Sequence, residues 1–210
     1  MRYGFMLLVW AGTLNEAYGQ TNSSTNTWTG VKVQKKLDHG FRLFLNPEIR
    51  TRNGSIDKYL LETGLSYKLN KNFSAVTIYR ITSEPLDTGM HTYGRIGFDL
   101  KAKAKVNRFY PRLRVRYTNI VDGDQDEPTR YLRYRAGITY NVRKSKITPF
   151  GHLEAFQRLN GANLTKWRYS LGAEYKFNKK NMIQIGYRID DFTNKEVIRH
   201  ILNTSYTFKL

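Results

Sequence analysis

The chain has 210 residues, no cysteine, and 35 lysines and arginines against 17 acidic residues, a formal charge of +18. The length indicates one domain, and the missing cysteines exclude a disulfide framework and a thiolate metal site. So basic a balance raises nucleic acid as a partner. Here, however, the basic residues alternate with apolar ones or occupy short turns, so no nucleic acid is expected.

Residues 1–19 read as a signal peptide. Met1 and Arg2 precede an apolar run over residues 5–11, and Ala17-Tyr18-Gly19 places small residues where a signal peptidase reads, with cleavage before Gln20. The run is too short to span a membrane as a helix. The domain 20–210 is then exported, and no later stretch approaches the length of a transmembrane helix.

Eleven strands are predicted beyond it, at about 27–36, 41–52, 58–69, 73–83, 92–106, 110–120, 131–142, 147–158, 166–177, 182–192 and 197–210. Most match the roughly 9–11 residues a tilted strand needs to cross a bilayer. Three strand ends repeat one pattern: GLSYKLNK from Gly64, GITYNVRK from Gly137 and GAEYKFNK from Gly172, with a partial copy in AKAKVNR from Ala102. Each alternates apolar and polar residues and then enters a basic turn, so one type of hairpin is built several times.

The connections alternate in kind. Those at residues 38–40, 70–72, 107–108, 143–146 and 178–181 are short and mostly basic, whereas those at 53–55, 83–91, 121–130, 160–165 and 193–196 vary more and include the longer ones. Outer-membrane barrels place short turns in the periplasm and longer loops outside. Bacterial barrels also have even strand numbers. The first candidate strand is the weakest, because Lys35 interrupts its apolar face of Val31 and Val33. Ten or twelve strands are therefore expected.

Within the strands one face is apolar, as in Ile96, Phe98 and Leu100, in Leu132, Tyr134 and Ile138, and in Trp167, Tyr169 and Leu171. The opposite face carries Glu48, Glu62, Arg95, Asp99, Arg112, Arg114, Arg116, Arg133, Arg135, Glu174 and Arg188. In a transmembrane barrel the first set meets lipid and the second lines the lumen. Tyrosine and tryptophan near the strand ends suit the membrane interfaces. Glycines 64, 137, 172 and 186 lie on the charged faces and leave room for long neighbouring side chains. Alternation alone also fits a soluble lipocalin-like barrel or sandwich with the faces inverted. Strand length, the two classes of connection and the leader favour the membrane. Tyr206, Phe208 and Leu210 alternate to the end of the chain and are similar to the C-terminal strand that the barrel-assembly machinery reads, with leucine in place of the usual terminal aromatic residue.

Four segments carry a family resemblance: Trp28-Thr-Gly30, Asn46-Pro-Glu-Ile-Arg50, the stretch from Tyr59 to Lys71, and Tyr187-Arg-Ile-Asp-Asp191. Together the chain resembles an uncharacterised bacterial outer-membrane β-barrel family, domain of unknown function 2490. The resemblance covers nearly all of the exported domain. It implies a barrel and a location in the outer membrane, and it brings no catalytic residues.

Catalysis has little to stand on. A lipid-modifying hydrolase needs a serine activated by histidine and an orienting acid. His39 and His91 fall in connections and His200 on an apolar face; His152 shares a polar face with Glu154, which makes these two the only catalytic candidates. In the loop from Asp122 to Glu127, Asp122, Asp124 and Asp126 alternate as in calcium loops, but the glycine is misplaced and Arg133 stands where the closing glutamate belongs. No zinc spacing and no phosphate-binding glycine loop occurs, so no metal and no cofactor is expected. The sequence thus predicts an all-β, antiparallel up-and-down transmembrane barrel of 10–12 strands with a charged, plugged lumen, in the outer membrane of a Gram-negative bacterium. It would be structural or a narrow pore, in contact with outer-membrane lipid and lipopolysaccharide; an outer-membrane lipid hydrolase and a soluble periplasmic binding barrel are the alternatives.

Overall fold

A computed structural model describes residues 22–121, 129–161 and 163–210. The signal peptide and its cleavage site, and the acidic loop with Asp122, Asp124 and Asp126, lie outside these residues. The described chain forms eleven strands: β1 (Asn22–Lys36), β2 (Phe41–Arg52), β3 (Ser55–Lys68), β4 (Phe73–Leu86), β5 (Gly89–Lys103), β6 (Phe109–Val121), β7 (Thr129–Tyr140), β8 (Ile147–Arg158), β9 (Leu164–Lys176), β10 (Asn181–Phe192) and β11 (Val197–Lys209). Each pairs with its neighbours in sequence, and β1 pairs with β11 to close a barrel. Closure removes the exposed edges that an open sheet would present.

The even count fails at the closing seam. β1 is a full strand of 15 residues despite Lys35, and it runs parallel to β11, with Trp28 opposite Asn203 and Val31 opposite Tyr206. All ten other ladders are antiparallel. An up-and-down meander can close on itself antiparallel only with an even number of strands; with eleven, the last strand must meet the first in the same direction. Lys35 is tolerated because it is exposed near the end of β1, away from the middle of the outer face.

The two ends of the barrel differ as their sequences do. At one end (the turn end) the connections at 70–72 and 178–181 are held by side-chain caps. Asn70 Oδ1 accepts hydrogen bonds from the backbone N–H groups of Asn72 at 2.8 Å and Phe73 at 2.9 Å. Asn178 does the same for Lys180 at 2.9 Å and Asn181 at 2.8 Å. These Asx turns explain why GLSYKLNK and GAEYKFNK both end in Asn-Lys. At the other end (the loop end) β2 and β3 join through Asn53 and Gly54, both with positive φ, at 50° and 90°. This is the backbone that an Asn-Gly hairpin supplies. The connection expected over residues 83–91 is shorter than that: β4 continues to Leu86 and β5 starts at Gly89, so His91 lies in a strand.

Each glycine of the repeated pattern lies under an aromatic ring. A Cβ on Gly64 would sit 2.6 Å from Phe44, one on Gly137 would sit 2.3 Å from the His152 ring, and one on Gly172 would sit 2.6 Å from Phe150. In all three cases the ring belongs to the residue directly opposite on a neighbouring strand. The repeat is therefore a packing unit, with a hairpin turn at the end and a ring laid across the glycine in the middle.

The faces divide as the alternation requires. Leu65, Phe98, Leu100, Leu113, Ile138, Leu171, Ile185 and Leu202 are all exposed on the outside, Leu171 at 70%. The buried set is largely ionic or polar: Asp190 is 0% exposed, Asp99 and Glu154 are 1% exposed, and Arg133 and Arg168 are buried with them. A soluble barrel would invert this arrangement. One small apolar cluster, Phe44, Val76 and Ile78, lies inside near the turn end.

Candidate functional site

The interior is the candidate site. Side chains alternate in and out along every strand, so each contributes its even- or odd-numbered set to the lumen. A cavity of about 700 Å³ runs inside, with thirteen lysines and arginines and three acidic residues, Glu48, Glu62 and Glu174, on its wall. Arg95, Arg112, Arg114, Arg116, Arg133, Arg135 and Arg188 all line it. Asp99, the remaining residue expected in the lumen, is buried behind the wall.

Cross-strand register decides which charges meet. Arg114 faces Arg135, and Arg116 faces Arg133. Directly opposed like charges are destabilising, and Glu154 of β8 relieves them. Its carboxylate accepts from Arg133 at 3.1 Å, from Arg135 at 3.1 Å and from Arg114. Arg116 turns instead to Asp99, Nε to Oδ1 at 2.5 Å and Nη2 to Oδ2 at 2.9 Å. Arg168 forms a matching fork on Asp190 at 2.5 and 2.7 Å, and Lys166 adds a third bond to Asp190 at 2.7 Å. Glu62 holds Arg80, with Nε at 3.0 Å, and Glu48 holds Arg50 at 2.6 Å. Two-pronged arginine–carboxylate bonds of this kind fix geometry as well as charge.

The sequence reading missed the interior aromatics. Trp28 does not join an interfacial belt. It points inward, with the guanidinium carbons of Arg50, Arg168 and Arg188 at 3.7, 4.9 and 5.1 Å from its ring centroid. Phe156 takes Arg133 at 4.4 Å, Lys166 at 4.4 Å and Arg168 at 5.0 Å. Aromatic faces attract cations, so these two rings hold basic side chains together where carboxylates are too few. Their inward parity was readable from the strands, since Trp28 shares a face with Lys32, and Phe156 with Glu154 and His152. Lys166, Arg168 and Asp190 follow from the same parity.

The catalytic candidates do not assemble. His152 stacks on Phe150 with ring centroids 4.9 Å apart, while Glu154 is occupied by its three arginines. The residue opposite His152 on β9 is Ser170, and no hydrogen bond joins this serine, the histidine and a carboxylate. His200 lies on the outer face and shares a hydrogen bond with the Tyr187 hydroxyl at 2.6 Å. Among the described residues no group of three or more histidine, cysteine or acidic side chains could hold a metal ion. At the end of the chain Tyr206 and Leu210 are exposed and Phe208 is half-buried; the Tyr206 hydroxyl donates to Asn181 Oδ1 at 2.5 Å, and the Leu210 N–H donates to the Gln34 carbonyl at 2.8 Å.

Among solved structures the chain is similar to the NanC porin, with 14% identity and a TM-score of 0.53, over 88% of this chain and 99% of that one. It also matches the β domain of the Bordetella autotransporter BrkA, with 9% identity and a TM-score of 0.45, over 82% and 83% of the two chains. The first likeness shows a porin-like barrel fold. No curated protein matches the chain. The model of the family described as "Protein of unknown function (DUF2490)" matches residues 25–197, and the chain belongs to that family.

Proposed function

We propose that this protein is an outer-membrane pore whose basic interior favours small anions. One observation carries the reading: the cavity wall bears thirteen cationic side chains against three acidic ones, inside a barrel whose outer surface is apolar. Rings of basic side chains select for anions in pores. The buried ion pairs narrow the bore, so small currents are expected. The porin-like fold supports the same reading by analogy. The belt would contact outer-membrane lipid and lipopolysaccharide, and the final strand with Tyr206, Phe208 and Leu210 would engage the assembly machinery.

The reading is non-enzymatic. Glu154 is the acid nearest in sequence to His152, and it is committed to arginines. An unchanged lipid profile after His152→Ala in cells is the expected result. Recording of the refolded protein in planar bilayers under a salt gradient tests the pore itself. A reversal potential on the anion side is expected, whereas cation preference or the absence of any current overturns the proposal.

A further inference from the structure

The large cavity has a side chamber towards the loop end, about 220 Å³ in volume. Seven cationic side chains line it, Arg50, Lys58, Arg80, Arg95, Lys166, Arg168 and Arg199, together with Trp28, Leu60, Thr82 and Tyr93, and no carboxylate. Outside the chamber's own lining, Glu48, Glu62, Glu84 and Asp190 bind Arg50, Arg80, Lys58, and Arg168 with Lys166. Seven cations against four carboxylates leave the set with an excess of about three positive charges.

Arg95 and Arg199 are the members without a carboxylate partner among the described residues, and Arg95 is the more crowded. It stands directly opposite Arg80 on β4, an arrangement that costs stability unless a counter-charge relieves it. Arg80 has Glu62. Arg95 makes no ion pair with any carboxylate among the described residues, and its buried Nε has no hydrogen-bond partner in the protein. The buried Nε of Arg199, across the chamber, is likewise unpartnered. A buried donor left without a partner costs about 1–3 kcal/mol, and more when it is charged. At about 30 Å³ per water the chamber has room for a compact anion and a few waters.

We infer that this chamber is a binding site for a small oxyanion carrying two or more negative charges, inorganic phosphate or a phosphate-bearing solute, held between Arg95 and Arg199. A singly charged carboxylate would leave most of the excess uncompensated. A fork of guanidinium donors matches phosphate oxygens in geometry as well as charge. The inference rests on the proposed function only in requiring that solute reach the interior from one end.

Calorimetric titration of the detergent-solubilised barrel with sodium phosphate, and in parallel with sodium acetate, tests it. Saturable phosphate binding that acetate does not reproduce is expected. Arg95→Gln and Arg199→Gln should each weaken it by about tenfold or more, the equivalent of one charged hydrogen bond. Arg112→Gln, in the main cavity but outside the chamber, should weaken it less than about threefold. Heat-modifiable gel migration verifies that each variant is folded. Absence of saturable phosphate binding, equal binding of acetate, or equal losses in all three variants overturns the site. Phosphate binding without bilayer current keeps the chamber and removes the pore; anion-selective current without phosphate binding does the reverse.

Discussion

Arg116 grips Asp99 with two parallel bonds, Nε to Oδ1 at 2.5 Å and Nη2 to Oδ2 at 2.9 Å, across the β5–β6 ladder. Asp99 is 1% exposed, so Asp99→Asn leaves a buried guanidinium without its counter-charge beside Arg114 and Lys101. Losing one partner of a buried pair costs about 3–5 kcal/mol. Urea unfolding of the barrel in lipid vesicles should show that loss. A change below about 1 kcal/mol would mean that the pair behaves as an exposed one.

Gly172→Ala is expected to be the harshest of the small substitutions. The new methyl would meet the Ile185 carbonyl oxygen at 2.4 Å and the Phe150 ring at 2.6 Å, whereas at Gly97 the nearest atom is 3.4 Å away. Overpacking typically costs about 1–3 kcal/mol. The temperature at which the folded gel band disappears should fall for Gly172→Ala and hold for Gly97→Ala.

Leu171 is 70% exposed near the middle of β9, and Met90 is 56% exposed at the loop end of β5, on the same face as Ile96 and Phe98. If lipid covers the outer face, Leu171→Arg should cost about 2–4 kcal/mol of stability in vesicles and Met90→Arg about 0–1. Equal small effects at both positions would place the outer face in water.

Arg112 lines the cavity and pairs with no carboxylate among the described residues. Arg112→Glu should move the bilayer reversal potential towards cations without lowering the temperature of the gel shift. A potential that does not move would separate the conducting path from this wall.

The odd strand count is open to a chemical test. Thr29 and Thr204 are partners across the parallel seam, and the chain has no cysteine of its own. A protein carrying Thr29→Cys and Thr204→Cys should cross-link within one chain under a short bifunctional maleimide. Any other closure separates these residues, and then no internal cross-link would form.

The sidedness of the strands was legible because alternation with period two leaves little freedom once one face is apolar. Phe98, Leu100 and Leu171 outside, and Arg95, Arg116 and Asp99 inside, follow from it. All eleven strands were legible as segments, but the way they close was not. Closure depends on how the first strand meets the last, which no local pattern encodes, and the even-number rule together with Lys35 made a complete first strand look interrupted. The ion pairs were out of reach for a related reason. That Glu154 serves three arginines, or that Arg80 opposes Arg95, depends on register between strands. The hairpin turns set that register, and a single sequence shows it only where a turn is as explicit as Asn53-Gly54.

Trp28 leaves the interior with a property of practical use. Its indole has one guanidinium carbon at 3.7 Å and two more at about 5 Å, and Arg50 and Arg168 both line the chamber as well. A solute that draws these cations away from the ring changes its electrostatic surroundings, and with them the emission of the indole. In a chain spanning 20–210 that carries Trp167→Phe, Trp28 is the remaining tryptophan, so fluorescence reports occupancy of the barrel from within and without a label.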